Sequence, residues 1–326
     1  MRITVTKLGH LGDGVAEGPI FVPGALPGEQ VEGEVIAGRM DAPKIVTPSP
    51  ERVKAPCPHY RACGGCALMH VRDGFVAEWK AGVVRDALAA QGLAAPIRKI
   101  VASPPFARRR AVFSGRRTRA GGAVVGFHAR ASASVVAVPE CRVIRPALRA
   151  AFPALEAVTR AGASRSGELH LALTETRTGL DLAVTGGKPL DAGLRAELAR
   201  IAEANGFARI AWAEEIAVLR APPRLAFGPA LAALPPGGFL QATAEGEAAL
   251  LASVREAVAG ARRIADLFAG AGTFALPLAE TAEVYAAEGD EALAEALGAA
   301  WRATPGLKRL TAETRDLFRR PLLPDE

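Results

Sequence analysis

Arg263-Ile264-Ala265-Asp266-Leu267-Phe268-Ala269-Gly270-Ala271-Gly272-Thr273 reads as an apolar strand, an acidic residue, a Gly-x-Gly turn and a helix starting near Thr273. Glycines let a ligand approach the backbone, and a helix start offers unpaired N–H donors. A second strand, Val284-Tyr285-Ala286-Ala287, ends on Glu288, whose carboxylate can accept both hydroxyls of a ribose. The series predicts part of a doubly wound α/β unit.

Two acidic residues, Asp266 and Glu288, around so short a glycine turn favour S-adenosylmethionine over a dinucleotide, whose pyrophosphate takes a longer glycine fingerprint. Just upstream, Gly238-Phe239-Leu240-Gln241 leads into a helix with Ala248, Leu251, Val254 and Val258 on one face and Gly260 at its end.

Further back, Cys57, Cys63 and Cys66 stand within ten residues of a chain that has only four cysteines, and the fourth, Cys141, is far along in Pro139-Glu140-Cys141-Arg142. Such clustering predicts a ligand set. Four thiolates suit zinc or an iron–sulfur cluster. The three-plus-one spacing fits a 4Fe-4S cubane held by one loop and a distant strand or turn better than it fits paired zinc knuckles. Disulfides belong to small secreted domains, and this chain of 326 residues does not look like one.

Half the residues are hydrophobic, enough for a sizeable core. No charged-then-apolar leader and no run long enough to span a bilayer stand in the sequence, so a cytoplasmic, non-membrane protein is expected; a monomer is expected as well. The net charge of +6 is uneven: residues 1–150 hold 22 Lys and Arg against 11 Asp and Glu. That basic half is the expected polyanion-binding half. Within it, Arg108-Arg109-Arg110 and Arg116, Arg117 and Arg119 flank Val112-Phe113 ahead of Gly121-Gly122. Two strands about a glycine turn would line these guanidinium groups along one sheet as a phosphate-contacting surface.

Residues 1–55 read as short strands between glycine turns, for which a small β-barrel is the natural closure. A run through Pro43, Pro48, Pro50 and Pro56 predicts a stiff linker, and Phe75, Val76, Trp79, Val83, Val84 and Leu88 predict an amphipathic helix stopped by Gly92. Between residues 165 and 236 the pattern is a hairpin across Thr178-Gly179, a helix from Ala192 to about Asn205 and short proline-broken strands. The expectation is an α+β multidomain chain: a barrel at 1–55, a mixed central domain with the cysteine loop at 56–236, and a partial doubly wound domain at 237–326.

Gly12-Asp13-Gly14-Val15-Ala16 and Phe21-Val22-Pro23-Gly24-Ala25-Leu26-Pro27-Gly28-Glu29 resemble a TRAM domain, an RNA-binding barrel. With the cysteines, Phe-x-Gln at Phe239 and Asp-Leu-Phe-x-Gly-x-Gly-Thr at Asp266, nearly the whole chain resembles the RNA uracil-5-methyltransferases that carry a TRAM domain and a 4Fe-4S cluster. The resemblance implies methyl transfer from S-adenosylmethionine to C5 of a uridine in ribosomal or transfer RNA, with ribosomal RNA favoured. By position it implies Cys57, Cys63, Cys66 and Cys141 as cluster ligands, and Gln241, Phe268, Thr273, Glu288 and Asp316 as cofactor contacts beside Asp266, Gly270 and Gly272. Thr243 replaces the family's usual Asn.

The chemistry of that family needs a cysteine thiolate to attack C6 of uracil and a carboxylate to take the C5 proton. All four cysteines are already assigned, and neither Asp-Pro-Pro-Arg nor Ser-Cys-Asn-Pro occurs here. From Ile264 onward there is room for about three strands where a doubly wound methyltransferase sheet has about seven. A C-terminally truncated member, inactive as it stands, is therefore expected. Two other classes compete: a non-catalytic RNA-binding iron–sulfur module, and a radical enzyme, whose Cys-x3-Cys-x2-Cys triad is absent.

Overall fold

The computed structural model describes residues 1–323, and in it the chain forms two compact units interleaved in sequence: Met1–Ala102 with Phe127–Arg142, and Ser103–Gly126 with the chain from Val143 onward.

The first unit opens with β1 (Arg2–Leu8), β2 (Gly14–Ala16), β3 (Ile20–Val22), β4 (Gln30–Glu32) and β5 (Lys44–Thr47), an antiparallel sheet in the order β3-β2-β1-β4-β5. Val5, Val22, Ala25, Val31 and Met40 make its core. The sheet stays open, so the barrel expected for residues 1–55 is corrected. Most of these strands are three residues long, too short for the continuous ladder that closure demands. The outer edge of β3 is taken instead by the turn at Gly38–Met40, through Phe21 N–H to Gly38 O at 2.8 Å and Met40 N–H to Phe21 O at 2.9 Å.

Nor is the proline run a free spacer. Glu29 is 0% exposed and its carboxylate accepts from Leu26 N (2.8 Å), Ser49 N (3.1 Å) and both Arg52 Nε (2.5 Å) and Nη2 (2.7 Å), which pins the segment to the sheet. Burial pushes the Glu29 carboxyl up, but the Arg52 guanidinium and the two backbone donors outweigh it and leave its pKa below the ordinary value. α1 (Asp73–Ala89) follows, and Phe75, Val76 and Trp79 of its first turns pack on Leu8, Leu26 and Val71. Trp79 is therefore core.

The second unit begins at Ser103 with β6 (Arg110–Arg117) and β7 (Ala123–His128), whose last two residues return to the first unit; β8 (Val135–Ala137) lies there too. Then come α2 (Pro146–Ala150), α3 (Phe152–Gly162), β9 (Glu168–Thr176), β10 (Gly179–Thr185), α4 (Ala192–Asn205), β11 (Phe207–Trp212) and β12 (Glu215–Leu219). The strands run β12-β11-β10-β9-β6-β7, antiparallel except for β10 and β11, which α4 connects as a parallel pair. Along β6 the alternation is regular: Ala111, Phe113 and Gly115 face the core beneath α3, and Arg110, Val112, Ser114 and Arg116 face the other way.

β13 (Arg224–Phe227) and β14 (Ala230–Ala233) form a hairpin, followed by α5 (Ala244–Ala257), β15 (Arg263–Leu267), α6 (Ala275–Leu278), β16 (Glu283–Glu288), α7 (Glu291–Arg302) and β17 (Leu310–Thr314). β15, β16 and β17 are parallel, with β15 at an edge. Leu225, Phe227, Leu276, Leu297 and Leu310 bury one face of this sheet together with α6, α7 and the hairpin. The other face carries Tyr285, Thr311 and Glu313, which with Arg263 and Arg309 line a cleft of about 710 Å³. Among the described residues, no helix is long and apolar enough to cross a membrane.

Candidate cofactor and nucleic-acid sites

In open α/β sheets ligands bind beyond the carboxyl ends of the strands. At that edge of the three-stranded sheet, the loop after β15 turns at Phe268, whose φ of 61° is left-handed and for a non-glycine residue costs about 1–3 kcal/mol. It is fastened by Ala269 N–H to Ala287 O at 3.0 Å and Gly270 N–H to Glu288 Oε2 at 2.7 Å. The other Glu288 oxygen accepts from Asp290 N at 2.9 Å, and Arg315 N–H reaches Glu288 O at 2.7 Å. Phe268, Gly270, Glu288 and the turn at Asp316 thus stand together. Gly272 packs inward: a Cβ there would meet Leu276 and Leu297 at 2.8–3.0 Å, whereas one on Gly270 would meet nothing within 4 Å.

Asp266 sits behind the loop. Burial raises its carboxyl to about 6, with the Ala275 N–H pulling down and Glu288 pushing up, and its Oδ2 is buried without a hydrogen-bond partner. The helix expected to start near Thr273 is corrected. Residues 271–274 are turns and α6 has four residues, so Thr273 lies before a single turn of helix and no sustained helix dipole faces the loop. Asp316 Oδ1 accepts from Phe318 N (3.0 Å) and Arg319 N (3.2 Å), and the Phe318 ring lies 5.4 Å from that of Phe268. Nothing in the sequence singled out Phe318; its one signal is an aromatic residue two positions past Asp316.

Gln241 follows Leu240, which shares a buried core cluster with Ala269 and Ala271 of that loop, and it is held from its other side by the arginines. Arg109 is 7% exposed: its Nε donates to Gln241 O at 3.1 Å, its backbone N–H to Ala242 O at 2.9 Å, and its Nη2 pairs with Glu247 on α5 at 2.5 Å. Arg110 Nη2 donates to Gly237 O at 3.2 Å. Arg109, expected to grip RNA phosphate, instead directs its donors to Gln241, Ala242 and Glu247, and Arg110 holds Gly237, so the two flank the stretch from which Phe239 projects 63% exposed. Burial raises the Glu247 carboxyl above its ordinary value, against the pull of Arg109. Thr243 is the N-cap of α5, its hydroxyl accepting from Gly246 N at 3.1 Å and meeting Ser103 at 2.8 Å. Of the remaining arginines, Arg116 pairs with Glu168 at 2.6 Å, Arg117 is half-buried, and Arg108 and Arg119 are exposed.

All four cysteines lie in the first unit. The loop of Cys57, Cys63 and Cys66 is laid against the segment that leads to Cys141, by Gly64 N–H to His128 O at 2.8 Å, a bridge between Cys63 and Ala129, and Glu140 N–H to His59 Nε2 at 3.2 Å. Gly64 must be glycine, since a Cβ would come within 2.9 Å of His128 O. Burial raises the Cys63 thiol, the Gly65 N–H pulls it down, and Cys141 and Cys57 push it up. Among the described residues, no three His, Cys, Asp or Glu side chains converge tightly enough to hold a single metal ion.

No family model matches the chain. It is 42% identical to an uncharacterized RNA methyltransferase of Caulobacter vibrioides, over 99% of this chain and 80% of the relative. It is 34% identical to the 23S rRNA (uracil(1939)-C(5))-methyltransferase RlmD of Halomonas elongata, over 97% of this chain and 71% of that protein. Its fold is similar to that of the tRNA (uracil-54, C5)-methyltransferase of Pyrococcus abyssi, with a TM-score of 0.71 over 95% of this chain and 78% of the other, at 21% identity. Matched over nearly its full length at such identity, the chain belongs to the RNA methyltransferases.

Proposed function

We propose that these residues serve an enzyme that methylates C5 of a uridine in RNA, ribosomal rather than transfer, with S-adenosylmethionine as donor. The observation that carries the reading is the gathering of Phe268, Gly270, Glu288 and Asp316 at the carboxyl edge of a parallel sheet, in a chain of this family. Each Glu288 oxygen already accepts one main-chain N–H, which fixes its direction and leaves acceptor capacity for ribose hydroxyls. The open side of Gly270 admits a ligand against the backbone, and Asp266 offers an unpartnered oxygen behind it. Gln241, Gly272 and Thr273 complete the proposed contacts.

Bound S-adenosylmethionine supplies an electrophilic methyl group. Uracil C5 accepts it only after a thiolate has added to C6. In this reading Cys57, Cys63, Cys66 and Cys141 instead hold a 4Fe-4S cluster that ties the cysteine loop to the segment ending at Cys141. Their fit lies in the loop of three cysteines packed against the segment that ends at Cys141 and in the four-thiolate donor chemistry. No residue of the chain is assigned as nucleophile or base. Residues 1–55 and the exposed Arg108 and Arg119, with Arg116 and Arg117, are the proposed RNA-contacting groups, and residues 237–326 the cofactor domain.

The test pairs calorimetric titration with S-adenosylhomocysteine and tritium transfer to unmodified ribosomal and transfer RNA. Binding is expected, without transfer by these residues alone while all four cysteines serve as cluster ligands. Absence of binding would sink the reading, and repeated turnover would make one cysteine, Cys141 first, the nucleophile instead of a ligand.

A further inference from the structure

We infer that Phe318 is the second aromatic wall of the adenosyl pocket and a determinant of purine recognition. The inference rests on the S-adenosylmethionine reading above. Phe268 and Phe318 are 59% and 88% exposed, yet their rings face each other at 5.4 Å with planes 50° apart, a wedge open to solvent. Neither belongs to a core cluster of the sheet, so burial within the described residues does not account for them.

Both rings are aimed by backbone geometry. Phe268 has left-handed backbone, and Phe318 follows the turn closed by Asp316 Oδ1, which accepts from its N–H. Arg315 N–H to Glu288 O at 2.7 Å fastens that turn to the end of β16. A nucleoside held through its sugar by Glu288 therefore presents its base beside the two rings. A flat purine stacked on one of two planes 50° apart meets the other ring at a tilt, and stacking of a base on an aromatic side chain is sequence-tolerant but plane-dependent.

Isothermal titration of the 326-residue chain with S-adenosylhomocysteine and, separately, with adenosine tests this. Phe318→Ala is expected to weaken both ligands roughly tenfold, within the range of base–aromatic stacking. Phe318→Leu should be equally impaired because it keeps apolar volume without a plane, and Phe318→Trp should restore binding. At 88% exposure the side chain supports no core, and circular dichroism of each variant checks the fold. Normal binding by Phe318→Ala alongside weakened binding by Glu288→Gln would overturn the inference and leave the cofactor reading standing. Failure of the unsubstituted chain to bind either ligand would overturn both. If Phe318→Ala keeps its cofactor affinity but loses affinity for a uridine-containing RNA, the ring stacks on the nucleic acid and the inference is wrong.

Discussion

Replacing Arg109 with alanine separates a structural arginine from an RNA-binding one. The substitution removes the donor to Gln241 O and strands Glu247 in a site where burial already disfavours its charge. Breaking one partner of a buried pair costs about 3–5 kcal/mol. A group with a raised folded-state pKa binds more protons folded than unfolded, so stability falls as pH rises from the unfolded value to the folded one. Arginine holds that rise in check. Without it the Glu247 value climbs further, and the penalty grows by about 1.4 kcal/mol per unit of additional shift. Arg109→Ala should therefore be far less stable than the parent at pH 7.5, and the gap should narrow at pH 5 as Glu247 becomes protonated. Urea denaturation at both pH values, with Glu247→Gln and the double variant completing the cycle, measures the coupling. Loss below about 1 kcal/mol at pH 7.5, with a reduced salt slope of RNA binding, would refute the reasoning and return Arg109 to the RNA surface.

Arg108→Ala with Arg119→Ala should weaken RNA binding and flatten the salt dependence by roughly one unit of slope per lost phosphate contact, while Arg109→Ala leaves the slope unchanged. Glu29→Gln should destabilise the first unit by about 1.5–3 kcal/mol, since Arg52, itself a quarter exposed, would keep an amide acceptor but lose its charged partner. Because the Glu29 pKa is depressed, that contribution is fully present above the ordinary carboxylate value and is lost as pH falls through the folded one, a sign that thermal melts between pH 3 and 7 can read. Protein purified without oxygen should carry close to four irons with labile sulfide; stoichiometric zinc without sulfide would count against the cluster.

Much of this was legible along the chain. The strand–Gly-x-Gly–strand–Glu series through Asp266, Gly270 and Glu288 is local, because parallel neighbours joined by a short crossover keep the ligand-facing residues at strand ends. The hairpin at Thr178-Gly179 and the helix Ala192–Asn205 follow from alternation and from capping by Asp191 and Gly206. Tertiary structure decided the rest. Six arginines in one stretch look alike, and only the pairing of the chain just ahead of β6 with the segment before α5 makes Arg109 a buried partner of Glu247 while the Arg108 and Arg119 residues stay exposed. Whether five short strands close or stay open depends on which segment reaches the edge of β3, and the turn at Gly38–Met40 reached it. Phe318 gains its meaning from Phe268, fifty positions earlier, because the carboxyl ends of three parallel strands meet at one edge. Periodicity and local propensity are short-range properties of the sequence; burial, charge pairing and edge closure depend on contacts between residues far apart along it.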